Sequence, residues 1–294
     1  MRDFIEIAAG PQRSITMQSI ISTARLRARP FNAFLGRSFA LTKRYWLWEA
    51  SWLLYSIVMV LSIGFLAVGV GRVSGVQVPV DKVLVYLLTG SLLYRYLSEL
   101  FWETSNIISY ERWEGTIEHT FMAPVSRVTH LLGMSAFSVC YAGGRLVLLT
   151  AACALMFDIH LASANLPGAC AILAISTFSL VGLGLMAASL PLIYTEKGTQ
   201  MTNIVEAALL MVSGVYYPVD VLPAWLRFFS RFSPATYTLH GMRAAILDGA
   251  RFRDLWGDIL PLIVTAVILI PLGLKVFGIA ETYCKRHGKL KRSG

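Results

Sequence analysis

The chain reads as an all-α integral membrane protein with six transmembrane helices, an N-terminal interfacial helix and a re-entrant helical segment between spans five and six. Three observations predict this class. Hydrophobic residues fill 56% of the 294 positions and charged residues 15%, against about 45–50% and about 25% in an ordinary soluble domain. Mean hydropathy is +0.61. The apolar residues also gather in runs long enough to cross about 30 Å of hydrocarbon at about 1.5 Å per residue. A soluble fold could not hide that much apolar surface. Six spans of about 20 residues use under half of the chain, so one membrane domain over 31–294 follows a cytoplasmic N-terminal extension over 1–30.

Met1 to Arg29 is polar and basic. It lacks the apolar core of roughly 7–15 residues that a cleavable secretory signal requires, so the first span is expected to direct insertion itself. From Phe31 to Trp46, Phe31, Phe34, Leu35, Phe39 and Tyr45 recur near helical spacing with Arg37, Lys43 and Arg44 between them. That pattern suits a helix lying at the bilayer surface. Ala50 to Val70 carries no charge and is span one; Gly71 to Lys82, with Gly71, Gly75 and Pro79, is a short connection. Span two runs from Val83 to about Ile108 despite three charges. Glu111 to Arg127 is polar enough to leave the membrane, and Ile117, Phe121 and Met122 predict a short amphipathic helix ending near Pro124.

Leu131 to Phe157 is span three. After a turn over Asp158 to Asn165, span four covers Pro167 to Ile193, with its proline where a helix start tolerates one. A polar loop, Tyr194 to Thr199, leads to span five, which begins near Gln200 and stops at Tyr216-Tyr217-Pro218. Pro223 to Phe232 and Tyr237 to Leu247 are apolar helical stretches nearer the length of re-entrant segments than of spans, punctuated by Pro218, Pro223 and Pro234. Leu255 to Ala280 is span six, with a bend expected near Pro271, and a basic tail follows from Lys285 to Arg292.

An even number of spans puts both termini on one side. That side carries sixteen Lys and Arg residues in its loops and ends, and the other side seven. The positive-inside rule therefore makes both termini cytoplasmic in a cell (inner) membrane. The net charge of +9 follows from this distribution at membrane edges, so it does not point to nucleic acid. Cys140, Cys153, Cys170 and Cys284 lack metal-ligand spacing, and the five histidines are scattered. Neither a metal site nor a disulfide framework is predicted.

In span two, Arg95, Glu99 and Glu103 recur every four residues, with Ser91 and Asn106 close to the same face. Each charge at mid-bilayer costs about 2.5–3.5 kcal/mol, so this stripe should face protein or water. Arg145 in span three and Glu206 in span five are its candidate partners. The stripe either lines a translocation path or subunit seam, or is an ion-pair network that fixes helix packing. Gly143-Gly144 in span three and Gly182, Gly184 and Ala187-Ala188 in span four are read as close-packing contacts. Neither a nucleophile elbow nor a phosphate-binding loop occurs, so any ATP must be hydrolysed by another chain.

The stretch Glu111-Arg112-Trp113-Glu114-Gly115-Thr116-Ile117-Glu118, continuing through Pro124 to Arg127, resembles the E-x-x-x-G-T-[LI]-E-x-x-x-x-x-P-x-x-R segment of membrane subunits in type-two ABC exporters. The resemblance implies a coupling helix seated in a groove of an ATPase subunit. Glu111, Glu114 and Glu118 would offer it charge, and Gly115 would allow close backbone approach. A second stretch, Ser213 to Arg227 with Ser233 to Tyr237 and Gly241-Met242-Arg243, is similar to that family's extracellular re-entrant helices. There Tyr216, Tyr217, Pro218, Pro223, Trp225 and Pro234 would form an outer gate.

The resemblance further implies two permease subunits, identical or related, joined to two ABC ATPase subunits that carry ATP and magnesium, with no cofactor on this chain. The expected cargo is a hydrophobic or amphipathic compound: drug, antibiotic, lipid or glycan. Two other classes remain open on the residues alone. An integral membrane lipid-modifying enzyme would turn over without a partner, using the span-two carboxylates as acid and base. A proton-coupled secondary transporter would load its proton on Glu99 or Glu103 and should show inverted repeats.

Overall fold

The computed structural model describes residues 17–73, 80–157 and 164–290, and every regular element in them is helical. The expected extension over 1–16, the centre of the 71–82 connection, most of the 158–165 turn and the end of the basic tail lie outside the described residues.

Helix α1 spans Met17–Arg44 and α2 spans Trp46–Val73. The first helix therefore starts well before Phe31. Residues 24–29 are all Ala, Arg or Leu, good helix formers that carry the turn pattern into the stretch read as an unassigned extension. Next come α3 (Val80–Ser105), α4 (Ile107–Trp113), α5 (Ile117–Met122) and α6 (Arg127–Met156). Then α7 (Leu166–Ala187) and α8 (Ser189–Ile193) form one bent rod; Pro191 has no N–H to offer the Ala187 carbonyl, which is where α7 stops. After α9 (Gly198–Ser213), a 3₁₀ turn at Val219–Val221 leads to α10 (Ala224–Ser230) and α11 (Pro234–Leu247), and α12 (Trp256–Arg286) runs helical through Pro261 and Pro271.

Four of these rods are long and apolar enough to cross a membrane: Trp46–Gly69, Arg127–Met156, Leu166–Ile193 and Trp256–Arg286. The protein is thus an all-α, multi-pass membrane protein. Two expected spans fall short for separate reasons. Helix α3 carries Arg95, Glu99 and Glu103, and α9 has only 16 residues against about 20 for a full crossing.

The fold is built around α7, which packs against α12, α3 and α11. Backbone touches backbone along the first of these contacts. A Cβ on Gly182 would lie 2.6 Å from the Leu269 carbonyl carbon, and one on Gly273 2.6 Å from the Gly182 carbonyl oxygen. Gly184 meets the Thr104 side chain of α3 at 2.7 Å in the same sense. The small residues of span four are packing contacts, as expected. Gly143 and Gly144 are not: both face open space. All four cysteines are free, Cys153 and Cys284 buried and Cys140 and Cys170 exposed.

Candidate functional site

The segment from Glu111 to Arg127 holds the end of α4, a turn and the short helix α5, framed by polar contacts to other helices. Gly115 ends α4 in the left-handed region, at φ 73°. Its N–H bonds the Arg112 carbonyl at 3.1 Å, and the Thr116 N–H reaches the Glu111 carbonyl at 2.9 Å. This closing pattern favours glycine, because a side chain there would clash with the backbone. Gly115 therefore serves the turn itself. Helix α5 follows, and Ala123 turns extended ahead of Pro124.

Glu111 corrects the reading that gave it to a partner's groove. It is 0% exposed, and its Oε1 accepts from His130 Nε2 at 3.0 Å, Thr120 Oγ1 at 3.1 Å and Arg37 Nη1 at 3.4 Å. A carboxylate taken from water holds its charge only with such partners, so Glu111 joins α4 to α1, α5 and α6. Arg37 Nη2 also donates to Thr116 Oγ1 at 2.8 Å. Arg112 turns inward too, donating to the Leu192 and Lys289 carbonyls at 3.0 Å each and to Thr195 Oγ1 at 3.1 Å. At the far end Arg127 donates to the Thr120 carbonyl at 2.8 Å, the Phe121 carbonyl at 2.6 Å and Glu281 Oε1 at 2.9 Å. It thereby caps α5 and fastens it to α12. The outward face is left to Trp113 (65% exposed), Met122 (74%), Glu118, His119 and Pro124, with Glu114 half-buried beside them.

The span-two stripe divides. Arg145 Nη1 donates to Glu99 Oε1 at 2.9 Å, and Arg95 Nη2 approaches Glu99 Oε2 at 3.5 Å. Ser56 of α2 accepts from Arg95 at 2.8 Å and from Arg145 at 3.2 Å, so this half ties α2, α3 and α6 together. Arg145 also donates to Tyr141 Oη at 2.8 Å, and Tyr141 in turn donates to Glu49. One turn along, Glu103 has a single partner among the described residues, the Tyr110 hydroxyl at 3.1 Å. Ser91 donates back to the Leu88 carbonyl of its own helix, and Asn106, at the break between α3 and α4, donates to the Trp102 carbonyl. Glu206 takes a hydrogen bond from Ser98 instead of an arginine.

In the outer segment, α9 closes at Gly214, whose φ is 71°. Arg243 holds that turn by donating to the Gly214 carbonyl at 2.9 Å and to the Val215 carbonyl, with its guanidinium 3.8 Å from the centre of the Tyr86 ring. Tyr217 donates to the Met211 carbonyl at 2.6 Å, and Tyr216 lies against Tyr94 at 6.4 Å between centroids. Pro218 precedes the 3₁₀ turn, Pro223 precedes α10 and Pro234 opens α11. Trp225 on α10 is exposed, as are Phe228 and Phe232. His240 of α11 bonds Asp258 at 2.9 Å, and that bond raises the imidazole above its usual range.

Residues 29–247 match the family described as ABC-2 type transporter. The chain belongs to that family. It is also similar to the Linearmycin resistance permease protein LnrN of Bacillus subtilis (strain 168), at 34% identity over 109 residues, which is 36% of this chain and 28% of that protein. The chain thus covers well under two thirds of that relative's length.

The ABC-2 match takes in the Glu111–Arg127 segment, the stripe and the outer segment and stops ahead of α12. Among the described residues no three His, Cys, Asp or Glu side chains gather as a metal-binding group. The residues that sequence reasoning missed are those supplied from afar: Arg37, Glu49, Ser56, His130, Tyr141 and Glu281. A faint signal existed for two of them. Glu49 is an acid at the very start of an uncharged run, and Glu281 is an acid at the end of the last apolar run.

Proposed function

We propose that the chain is the membrane-spanning permease subunit of an ATP-driven ABC exporter, moving a hydrophobic or amphipathic compound out of the cytoplasm. The six crossings are α2, α3, α6, α7 with α8, α9 and α12. Helix α1 lies at the cytoplasmic interface, both termini are cytoplasmic, and α10 and α11 form a re-entrant outer gate. Two such subunits, identical or related, join two ATPase subunits that bind ATP and magnesium.

One observation carries this reading. The segment from Glu111 to Arg127 is fastened to α1, α6, α8 and α12 by inward-facing polar groups, while Trp113, Glu118 and Met122 stand outward. A piece so held moves with the helices it is bonded to, and its outer face is available to whatever drives it. Glu114, Glu118, Trp113 and Met122 are assigned to the ATPase groove; Glu111, Arg112, Thr116 and Arg127 transmit.

The test uses vesicles holding the chain with its ATPase subunit. Glu114→Ala/Glu118→Ala should uncouple hydrolysis from transport, and Trp113→Ala/Met122→Ala should weaken ATPase association about tenfold or more, the scale of buried aromatic contacts. Unchanged coupling and association in both variants, or labelling of a cysteine at position 118 from the outer side alone, would overturn the assignment.

A further inference from the structure

Beside the Glu111–Arg127 segment lies a cavity of about 620 Å³, within the range of roughly 300–1,000 Å³ that holds a drug-sized molecule. Its walls come from α1, the first turn of α2, the end of α3, α4 and α6, and they are rich in aromatic side chains: Tyr45, Trp48, Trp102, Tyr110, Phe137 and Tyr141 all line it. Two carboxylates stand in this wall, Glu49 and Glu103. Each receives one phenol hydrogen bond, from Tyr141 and Tyr110 respectively, and among the described residues neither is paired with a cation. The neighbouring arginines are engaged elsewhere, Arg95 and Arg145 on Glu99 and Arg37 on Glu111. Asn106 also lines the cavity, and its buried Oδ1 has no hydrogen-bond partner.

Carboxylates without a cationic partner, set among π-faces, form a surface complementary to positive charge on an apolar body. A ring face attracts a cation through its quadrupole, and a carboxylate shielded from bulk water attracts it far more strongly than one on an open surface. An anion would meet repulsion from both groups, and Arg37, the arginine in this wall, is already held by Glu111 and Thr116. A neutral molecule would leave the carboxylates without a counter-charge.

We propose that this cavity is a binding chamber for an amphipathic cation, its protonated or quaternary nitrogen held by Glu49 and Glu103 and its apolar part laid against the aromatic wall. As a cargo site the chamber rests on the exporter reading. As a binding site it does not, and the experiment keeps the two apart.

The purified chain in phosphatidylglycerol nanodiscs, without any ATPase, is titrated with tetraphenylphosphonium and, separately, with neutral triphenylphosphine oxide; empty discs supply the partition background. The cation should bind saturably and at least tenfold more tightly than the neutral compound. Glu49→Gln/Glu103→Gln should weaken the cation at least tenfold and leave the neutral compound within twofold. Glu49→Asp/Glu103→Asp, which keeps both charges, should restore the cation to within threefold, so a folding defect cannot pass for a loss of recognition. Equal affinity for the two compounds, or a Gln variant that binds the cation as the unaltered chain does, overturns the proposal. In discs of constant phosphatidylglycerol content, and so of constant surface charge, exchanging phosphatidylcholine for phosphatidylethanolamine should leave the affinity unchanged; a tenfold loss there would give the chamber to a lipid ammonium and sink it as a cargo site. Selective cation binding by a chain that associates with no ATPase and transports nothing would remove the exporter reading alone.

Discussion

Glu103 and Glu111 lie on consecutive helices either side of the Asn106 break, yet they end in opposite circumstances. Glu111 is sealed, with donors from three helices on one oxygen. Glu103 stands in a cavity wall with a single phenol for company. Both are acids next to aromatic residues, and their local sequence does not separate them. The difference lies in what other helices bring: α1 and α6 supply Arg37 and His130 to the first, and no described cation reaches the second. A charge closed off by partners holds the fold, whereas one left open is free to bind.

The contrast breaks first on stability. Glu111→Ala should cost about 3–5 kcal/mol, because it strands His130 and Thr120 in a dry site and takes the counter-charge from Arg37; a thermal melt of the purified protein would read this. Glu99→Gln should follow at about 2–4 kcal/mol, since it strands Arg145 and Arg95 near the helix seam. Glu103→Gln should cost under about 1 kcal/mol, the scale of one hydrogen bond. If Glu103 proved as costly as Glu111, the distinction between sealed and open acids would fall.

A smaller effect is expected at Gly115, where Ala must adopt a positive φ and should cost about 1–2 kcal/mol. The smallest should come from pH. The hydrogen bond to Asp258 raises the His240 pKa on folding, so its stabilisation is complete below the ordinary histidine range and is lost as pH rises through the raised value. The His240 side chain is largely exposed, so solvent screens the pair and the melting temperature should fall only slightly across that window. His240→Gln should flatten the profile.

Much of the architecture was legible because bilayer physics is strict. Long apolar runs marked α2, α6, α7 and α12, and prolines marked α10 and α11. The start of α1 was missed because the run of Arg, Leu and Ala before Pro30 looks like a basic tail while having good helix propensity. At the site, the Arg145–Glu99 pair was foreseeable from matched charges in adjacent spans. The burial of Glu111 was not, because its partner Arg37 is 74 residues away and a motif that reads as exposed can be fastened from within. Glu49 and Tyr141 escaped notice for a related reason: a lone acid at a helix start is ordinary until a cavity opens beside it.

Where Gly182 and Gly273 bring the main chains of α7 and α12 into contact, no flexible side chain remains between the two rods to absorb sliding. Displacing one past the other would need a jump of a whole helical turn, about 5.4 Å. That pair accordingly behaves as one body, and because Arg127 bonds Glu281 of α12 and Arg112 bonds Leu192 of α8, a displacement of the Glu111–Arg127 segment would carry both rods together.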